Sequence, residues 1–260
     1  MKKVVFISGI SRGIGKEIAL NLANKKEYIV YGCARSKVEL NNINFLQVDV
    51  ADEEKIKKAI DIIIKKEGRL DIIINNAGYG IADAIENTNL IDAKKLFDVN
   101  CFGSFLMCKY SLKYLRETKG QIINISSLAS IIPIPYQSFY GASKACLNYL
   151  GECLDIEASP FEVQVKNILL GDTKSEFGKS RIKTFKEDDL YYKRMYKSIH
   201  KMEQDEINGM DTTKVALKII KSLNHHKGTV IIGFKNKLIY GLFKILPKKI
   251  SLKIIALLYN

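Results

Sequence analysis

The chain has 260 residues, of which 47% are hydrophobic and 27% charged, which is enough apolar material for a large core and too much for a disordered chain. Four prolines and no repeat or low-complexity run predict one domain over residues 1–234, followed by a basic segment over residues 235–260. No stretch reaches the roughly 18 apolar residues of a membrane span, and the first apolar run is too short for a signal peptide. Five cysteines without paired spacing predict free thiols, so we expect a cytoplasmic protein.

The formal net charge of +13 is concentrated late in the chain. From Thr212 onward there are ten lysines and no carboxylate, whereas the preceding 211 residues carry 31 basic and 28 acidic groups. A bias in genome composition is an open alternative for this lysine enrichment, and we expect no nucleic-acid partner. Three histidines without a cysteine or carboxylate cluster predict no catalytic metal: His200, His225 and His226.

Short runs rich in Val and Ile alternate with helix-length segments. Seven runs are almost continuously apolar, as strands covered on both faces must be: KKVVFIS, YIVYGCA, INFLQV, LDIIIN, GQIINIS, VQVKNIL and GTVIIG. Helical patterns lie between most of them, including residues 52–67, 88–116 and 137–158. Repeated β-α-β order predicts an α/β fold with a doubly wound parallel sheet of the Rossmann type. After Arg35 only a turn or two fits before the next strand, so that crossover is predicted to be short.

A glycine-rich stretch, S-G-I-S-R-G-I-G at residues 8–15, joins the first predicted strand to the first predicted helix. Gly9, Gly13 and Gly15 allow a tight turn and a close approach of the backbone to a ligand. Phosphate groups bind exposed N–H groups at such a helix N-terminus. The position of the motif therefore predicts a dinucleotide site.

The end of the second predicted strand reads C-A-R-S. Many dinucleotide folds have a carboxylate here that binds the adenosine ribose hydroxyls of NAD. This chain has Ala34 at that place, Arg35 next to it and Arg12 inside the glycine loop. Two guanidinium groups and no acid favour a 2′-phosphate and hence NADP(H), unless both arginines are ordinary solvated surface residues.

Three further motifs follow at regular intervals: N-N-A-G at residues 75–78, I-N-I-S-S at 123–127 and Y-G-A-S-K at 140–144. Together with the glycine loop they make the chain, from residue 3 to about 232, resemble the short-chain dehydrogenase/reductase family. The intervals from Asn75 to Asn100, from Asn100 to Ser127 and from Ser127 to Tyr140 match the usual catalytic layout of that family. The resemblance therefore implies an NADP-dependent oxidoreductase acting on a CH–OH group.

The resemblance implies a role for each catalytic side chain. Tyr140 is expected to be the general acid for ketone reduction and the base for alcohol oxidation. Lys144, four residues on and on the same helical face, is expected to lower the tyrosine pKa together with the positive charge of the cofactor, and to hold the nicotinamide ribose. Ser127 is expected to hydrogen-bond the substrate oxygen, and Asn100 to anchor a water in a proton relay to Lys144.

The resemblance also implies a set of cofactor contacts. Two departures from the family pattern are Ser8, where threonine is usual, and Leu170, where proline is usual before Gly171. Asn75 has the alternative of bridging strands, and Asp49 that of capping a helix. The expected contacts are Gly9, Ser11, Arg12, Gly13, Ile14, Gly15, Arg35, Asp49, Val50, Asn75, Ala77, Gly78, Tyr140, Lys144 and Thr173.

Two segments are expected to wall the substrate site. Residues 128–135 are almost wholly apolar, and residues 174–208 form a long insert that the family uses as a mobile lid. A surface helix that covers the sheet edge is the alternative for that insert. An apolar wall predicts a lipophilic ketone or alcohol as substrate. A 3-oxoacyl thioester reductase and a catalytically silent nucleotide-sensing regulator are the alternatives, and we expect a homodimer or homotetramer.

The segment 235–260 has two amphipathic patterns separated by Pro247. Their apolar positions are Leu238, Leu242, Ile245, Leu246, Ile250, Ile254, Leu257 and Leu258. Six lysines and no acid accompany them, which is typical of helices that bind an anionic membrane surface. Packing of the apolar residues on the domain or on a sister subunit is the alternative.

Overall fold

The computed structural model describes residues 1–184, 187, 189–225 and 228–259. His226, one of the three histidines considered above, and three positions of the insert 174–208 lie outside the described residues, as does the last residue of the basic segment.

Eleven strands are formed by the described chain. Seven of them, all parallel, make the central sheet in the order β11-β7-β6-β4-β1-β2-β3, and they are the seven runs predicted from the sequence. The others form two small two-stranded ladders, β10 with β8 and β5 with β9. The strands are β1 Lys3–Ser8, β2 Tyr28–Ala34, β3 Ile43–Gln47, β4 Ile72–Asn75, β5 Ile81–Ala82, β6 Gln121–Ser127, β7 Gln164–Leu170, β8 Thr173–Lys174, β9 Ile182–Lys183, β10 Met210–Asp211 and β11 Thr229–Ile231.

Helices cover both faces of the sheet, as expected for strands that are apolar on both sides. No helix lies between β2 and β3, which confirms the short crossover. The helices are α1 Gly13–Ala23, α2 Glu53–Glu67, α3 Leu90–Phe97, α4 Gly103–Thr118, α5 Ser138–Ala158, α6 Tyr192–Ile207, α7 Thr212–Ser222, α8 Phe234–Ile245 and α9 Lys248–Tyr259.

Local chemistry accounts for the helix boundaries. The Asp52 carboxylate accepts a hydrogen bond from the Lys55 N–H at 3.0 Å and caps α2, and Gly68 ends that helix in a left-handed conformation. Asn89 caps α3 in the same way, so this helix begins two residues later than the sequence pattern suggested. A five-residue π-helical stretch, Asp98–Phe102, joins α3 to α4, and such stretches often occur at functional sites.

The core consists of two layers of aliphatic side chains, one on each face of the sheet. Ile56 and Ile63 of α2 pack with Met107 of α4 on one face, and Ile18 of α1 packs with Ile219 of α7 on the other. This packing fixes the strand register, and β6 pairs with β7 so that Ser127 lies opposite Leu170. Because all seven strands run in parallel, their carboxyl ends meet at one edge, where open α/β sheets bind ligands.

Candidate active site

Three predicted catalytic side chains meet at the carboxyl edge of the sheet. Ser127 is the last residue of β6, while Tyr140 and Lys144 lie one turn apart on α5. The Ser127 side chain accepts a hydrogen bond from the Ala129 N–H at 3.1 Å and lies close enough to the Tyr140 phenol to lower its pKa. All three line one cavity of about 820 Å³. A hydroxyl pair placed in this way can bind and protonate a carbonyl oxygen.

Lys144 is buried, and its ammonium nitrogen donates a hydrogen bond to the Ile125 carbonyl oxygen at 2.8 Å. Burial lowers the lysine pKa to about 8. Burial also raises the pKa of Tyr140 to about 12, against a lowering by Ser127 and by the charge of Arg181. Within the chain itself, desolvation of the phenolate outweighs the lowering by Ser127 and Arg181. A depression of the tyrosine pKa by Lys144 together with the positive charge of the cofactor stays a prediction.

Asn100 is completely buried within the π-helical stretch and does not line the cavity. Its amide oxygen accepts a hydrogen bond from the Tyr79 N–H at 3.1 Å, and its amide nitrogen donates to the Tyr79 carbonyl and to the Ser143 hydroxyl, both at 3.0 Å. A Cβ at Gly78 would lie 3.0 Å from the Asn100 oxygen and 3.5 Å from the Lys144 nitrogen. Asn100 therefore ties α5 to the loop after β4 beside Lys144.

The glycine loop lies at the opposite end of the cavity. Gly9 and Gly13 have φ angles of +74° and +59°, the left-handed conformation that favours glycine. A Cβ at Gly9 would lie 2.8 Å from the Ala77 backbone, whereas Gly13 has open space around it. Arg12 and Arg35 line this end of the cavity, and Ala34 offers no carboxylate to a ribose hydroxyl. The donor set thus fits a phosphorylated dinucleotide such as NADP(H).

The neighbouring residue Asn76, which the sequence analysis missed, holds the glycine loop. Its amide nitrogen donates hydrogen bonds to the carbonyl oxygens of Ser8 and Gly9, each at 3.0 Å. The Ser8 hydroxyl, a group that serine shares with threonine, accepts hydrogen bonds from the N–H groups of Asn76 and Ala77 at 3.0 and 3.1 Å. The N-N-A-G motif was the available signal, since either asparagine could serve.

Asn75 was predicted to contact the cofactor, but its side chain does not line the cavity and instead connects neighbouring strands of the sheet. It donates a hydrogen bond to the Asn124 amide oxygen at 2.9 Å, and Asn124 donates in turn to Asn167 at 3.0 Å. Side chains of adjacent strand residues point to opposite faces, which is why Asn75 bridges strands while Asn76 reaches the loop. This was the alternative left open for Asn75.

Most of the predicted cofactor residues line the cavity. Asp49 does so, and Asp52, not Asp49, caps α2. Gly15 does not line it. A Cβ at this position would clash with the Asn76 amide nitrogen and with the Gly9 carbonyl oxygen, so glycine is needed here for close packing. The predicted residues that line the cavity are Gly9, Ser11, Arg12, Gly13, Ile14, Arg35, Asp49, Val50, Ala77, Gly78, Ser127, Tyr140, Lys144 and Thr173.

The wall around Tyr140 is mainly apolar. The segment 128–135 contributes Leu128, Ile132 and Ile134, as predicted. Helices α8 and α9 contribute a larger share, which the sequence did not indicate. These additional wall residues are Ile239, Leu242, Phe243, Leu246, Ile254, Ile255, Leu258 and Tyr259.

The insert 174–208 adds an aromatic and a charged pair to the same wall. The Phe177 ring centroid lies 5.4 Å from that of Tyr140. Arg181 is buried and forms an ion pair with Glu206 of α6, and both line the cavity. Glu206 raises the Tyr140 pKa and Arg181 lowers it. The sequence offered no signal for this pair, because its two members are 25 residues apart.

Comparison with known proteins agrees with this geometry. The family model for short chain dehydrogenases matches residues 3–185. A 3-ketodihydrosphingosine reductase of Bacteroides thetaiotaomicron is 34% identical over 84% of this chain and 82% of its own. The crystal structure of a short-chain dehydrogenase from Streptomyces avermitilis superposes with a TM-score of 0.83 at 27% identity, covering 94% of this chain and 93% of the other.

A third similar protein has a structure with NADP bound. ElxO with NADP bound has a TM-score of 0.73 at 28% identity, with coverage of 89% of this chain and 97% of that one. The predicted catalytic residues Ser127, Tyr140 and Lys144, the glycine loop and the seven-stranded parallel sheet occur together here with a family match over most of the chain. The protein is a member of the short-chain dehydrogenase/reductase family and an oxidoreductase.

Proposed function

We propose that the protein reduces the ketone of a long-chain lipophilic molecule to a secondary alcohol, with NADPH as the hydride donor. The observation that carries this proposal is the cavity itself: it begins at the arginine-lined glycine loop, passes Tyr140, and continues along an apolar wall to α8 and α9. Its volume of about 820 Å³ lies in the upper part of the range of ligand sites.

The cofactor is NADP(H). Arg12 and Arg35 face the nucleotide end, and their planar guanidinium groups suit a 2′-phosphate. When bound, NADPH supplies the hydride that the carbonyl carbon receives. Its phosphates would meet backbone N–H groups of the loop at Gly13, and its ribose would lie beside Lys144.

The residues of this chain supply the remaining chemistry. Ser127 donates a hydrogen bond to the substrate oxygen as negative charge develops on it. Tyr140, whose pKa of about 12 keeps it protonated at neutral pH, transfers its proton to that oxygen. The charged form of Lys144 stabilises the resulting phenolate. Phe177 and the apolar wall exclude water from the reacting atoms.

The relatives support a lipid-like substrate. The similar protein from Bacteroides is named as a reductase of 3-ketodihydrosphingosine, a ketone on a lipid. A 3-oxoacyl thioester would fit the same catalytic groups, with the basic segment 235–260 binding an acidic carrier. A nucleotide sensor without catalysis does not need Ser127 and Tyr140 together at the cavity or a buried lysine beside them.

Turnover of NADPH with a panel of ketones tests the proposal. The panel contains a long-chain 3-ketone, a steroid ketone, a carrier-bound 3-oxoacyl thioester and a short soluble ketone, each with NADPH and with NADH. We expect the long-chain ketone to give the highest kcat/KM, with NADPH preferred. No oxidation of NADPH above the Tyr140→Phe background with any ketone would support the sensor instead.

We further propose that the protein forms a homodimer or homotetramer in the cytoplasm. Phe102, Phe105 of α4, and Tyr149, Leu150 and Ile156 of α5 are large exposed hydrophobic residues on neighbouring elements. An apolar face of this kind supports self-association. All five cysteines are free, which supports a reducing compartment. Sedimentation equilibrium of the purified protein and of Phe105→Glu tests the association.

A further inference from the structure

The outer face of α8 and α9 is apolar. Ile245 and Leu257 each keep 83% of their accessible surface, and other large apolar side chains surround them. Single exposed leucines are normal on protein surfaces, but a group of this size on two consecutive helices indicates an interaction site. We call this group the tail face; its members are Phe234, Leu238, Leu242, Ile245, Ile250, Leu252, Ile254, Leu257 and Leu258.

The tail face is distinct from the residues that anchor the two helices to the domain. Ile239, Phe243 and Ile255 pack with Leu128 and Ile132 beside the catalytic serine. The helices are therefore attached by one side, and seven of the eight predicted apolar positions, all except Leu246, remain exposed. Packing on the chain's own domain, one alternative from the sequence, accounts for the inner side alone.

The two helices carry exposed lysines and no acidic side chain, and the acidic group that interacts with Lys244 is Glu152 of α5. The Lys244 nitrogen lies 4.9 Å from the centre of the Tyr240 ring, and the Lys248 nitrogen lies 5.8 Å from that of Phe243. Lys244, Lys249 and Lys253 are also adjacent in sequence to tail-face residues, Lys244 to Ile245, Lys249 to Ile250 and Lys253 to Ile254. The six exposed lysines are Lys235, Lys237, Lys244, Lys248, Lys249 and Lys253.

Charge complementarity selects the occupant of this surface. Exposed lysines repel a second copy of the same surface, whereas anionic headgroups attract them. Amphipathic helices with lysines beside an apolar face bury that face at the boundary between headgroups and acyl chains. No helix in the described part of the chain is long and apolar enough to cross a bilayer, so binding at the surface is the mode these helices allow.

The substrate cavity opens at the same face. Leu242, Ile254 and Leu258 line the cavity, and yet 58%, 42% and 50% of their surfaces remain exposed. Leu246, at the corner between the two helices, also lines it. Side chains that belong both to the cavity wall and to the outer surface mark an opening, and here its rim is apolar.

We propose that α8 and α9 dock on the surface of an anionic bilayer and that the lipophilic substrate enters the cavity from that bilayer between the two helices. Docking follows from the tail face and its lysines alone. The entry route also rests on the proposed function, because it requires a substrate that partitions into lipid.

Vesicle sedimentation with the full-length protein tests docking. We expect pelleting with vesicles of phosphatidylglycerol and phosphatidylcholine, less at high salt, and little with phosphatidylcholine alone. The variants Ile245→Glu/Leu257→Glu and Lys248→Glu/Lys249→Glu should each bind at least tenfold more weakly. Their controls on the remote helix α2 change the net charge by the same amounts, Ile62→Glu/Lys65→Gln by two units and Lys57→Glu/Lys58→Glu by four, and should bind as the wild type does.

Two results would overturn docking. One is equal loss of binding in the α2 controls, which would mean that net charge alone drives association. The other is a wild-type protein that ignores anionic vesicles while Ile245→Glu/Leu257→Glu converts an oligomer into monomers. The tail face would then be an interface between copies of this chain.

Kinetics test the entry route. Ile245 and Leu257 do not line the cavity, so their double Glu variant should reduce a short soluble ketone with kcat/KM within twofold of the wild type. With a long-chain ketone presented in anionic vesicles, the same variant should lose at least tenfold. Equal rates on the vesicle substrate would overturn the route. If the wild type reduces neither ketone, the proposed function fails while the docking result stands.

Discussion

The Lys144 ammonium nitrogen lies 2.8 Å from the carbonyl oxygen of Ile125 in β6, and Lys144 follows Tyr140 by one turn of α5. This hydrogen bond keeps the long lysine side chain extended into the cavity, where burial makes its charge costly and lowers its pKa to about 8. Burial shifts the tyrosine pKa in the opposite direction and raises it to about 12. Between those two values the tyrosine keeps its proton while the lysine loses its charge.

The first prediction concerns pH. The kcat/KM for ketone reduction should be constant below pH 7 and fall as pH rises through about 8, because neutral Lys144 no longer stabilises the phenolate that forms when Tyr140 gives up its proton. In Lys144→Arg the cation persists to far higher pH, so the alkaline decrease should vanish even if the rate is lower. A wild-type profile that stays flat to pH 10 would contradict this role. Melting temperatures at each pH control for unfolding.

The second prediction is the loss of the proton donor. Tyr140→Phe keeps the ring beside Phe177 and removes the hydroxyl that lies close to Ser127. We expect kcat to fall by about 100-fold or more, since general acid catalysis contributes roughly that much. The dissociation constant for NADPH, measured by fluorescence titration, should change less than threefold. Retention of a tenth of wild-type kcat would exclude Tyr140 as the acid.

The strands could be predicted from the sequence because a parallel sheet covered on both faces requires continuous apolar runs, and seven such runs are present. The candidate catalytic residues could be identified because their motifs and intervals resemble the layout of the short-chain dehydrogenase/reductase family. The sequence could not show which of Asn75 and Asn76 faces the glycine loop. Neighbouring side chains at a strand end point to opposite faces, so a shift of one residue in strand register would exchange their roles.

Other parts of the site depend on tertiary contacts without a local signal. Arg181 and Glu206 meet only because the insert folds back so that α6 faces β9. Helices α8 and α9 were visible as amphipathic patterns around Pro247, but the pattern did not show which apolar side chains would line the cavity. Phe243 and Ile255 face the domain, while Ile245 and Leu257 face outward.

The third prediction concerns cofactor choice. Replacing Ala34 with Asp and Arg35 with Gln supplies a carboxylate for ribose hydroxyls and removes one guanidinium from the nucleotide end of the cavity. A charge-assisted contact to a 2′-phosphate contributes about 1.5–3 kcal/mol, or about tenfold to a hundredfold in affinity. The ratio of kcat/KM for NADPH over NADH should therefore fall by at least tenfold. Lys37→Gln, an exposed residue outside the cavity, is the control. Equal use of both cofactors by the wild type would refute the role of Arg12 and Arg35.

The last prediction concerns the ion pair in the cavity wall. Glu206 raises the pKa of Tyr140, so removing its charge leaves Arg181 to act on the phenol without opposition. Glu206→Gln keeps an amide oxygen that can still accept a hydrogen bond from Arg181. In the direction of alcohol oxidation, deprotonated Tyr140 is the base, so the variant should be several times more active than the wild type at pH 8. The increase of its activity with rising pH should begin at a lower pH than in the wild type.

The matched control for this variant is Glu203→Gln, one helical turn earlier on α6. Glu203 forms an ion pair with Lys183 and does not line the cavity, so its loss removes an equal charge without changing the surroundings of the phenol. We expect its profile for alcohol oxidation to coincide with that of the wild type. A shift of equal size in both variants would mean that the net charge of the insert, rather than the Arg181–Glu206 pair, sets the tyrosine pKa. An unchanged profile in Glu206→Gln with an unchanged melting temperature would show that Glu206 has no influence on the phenol.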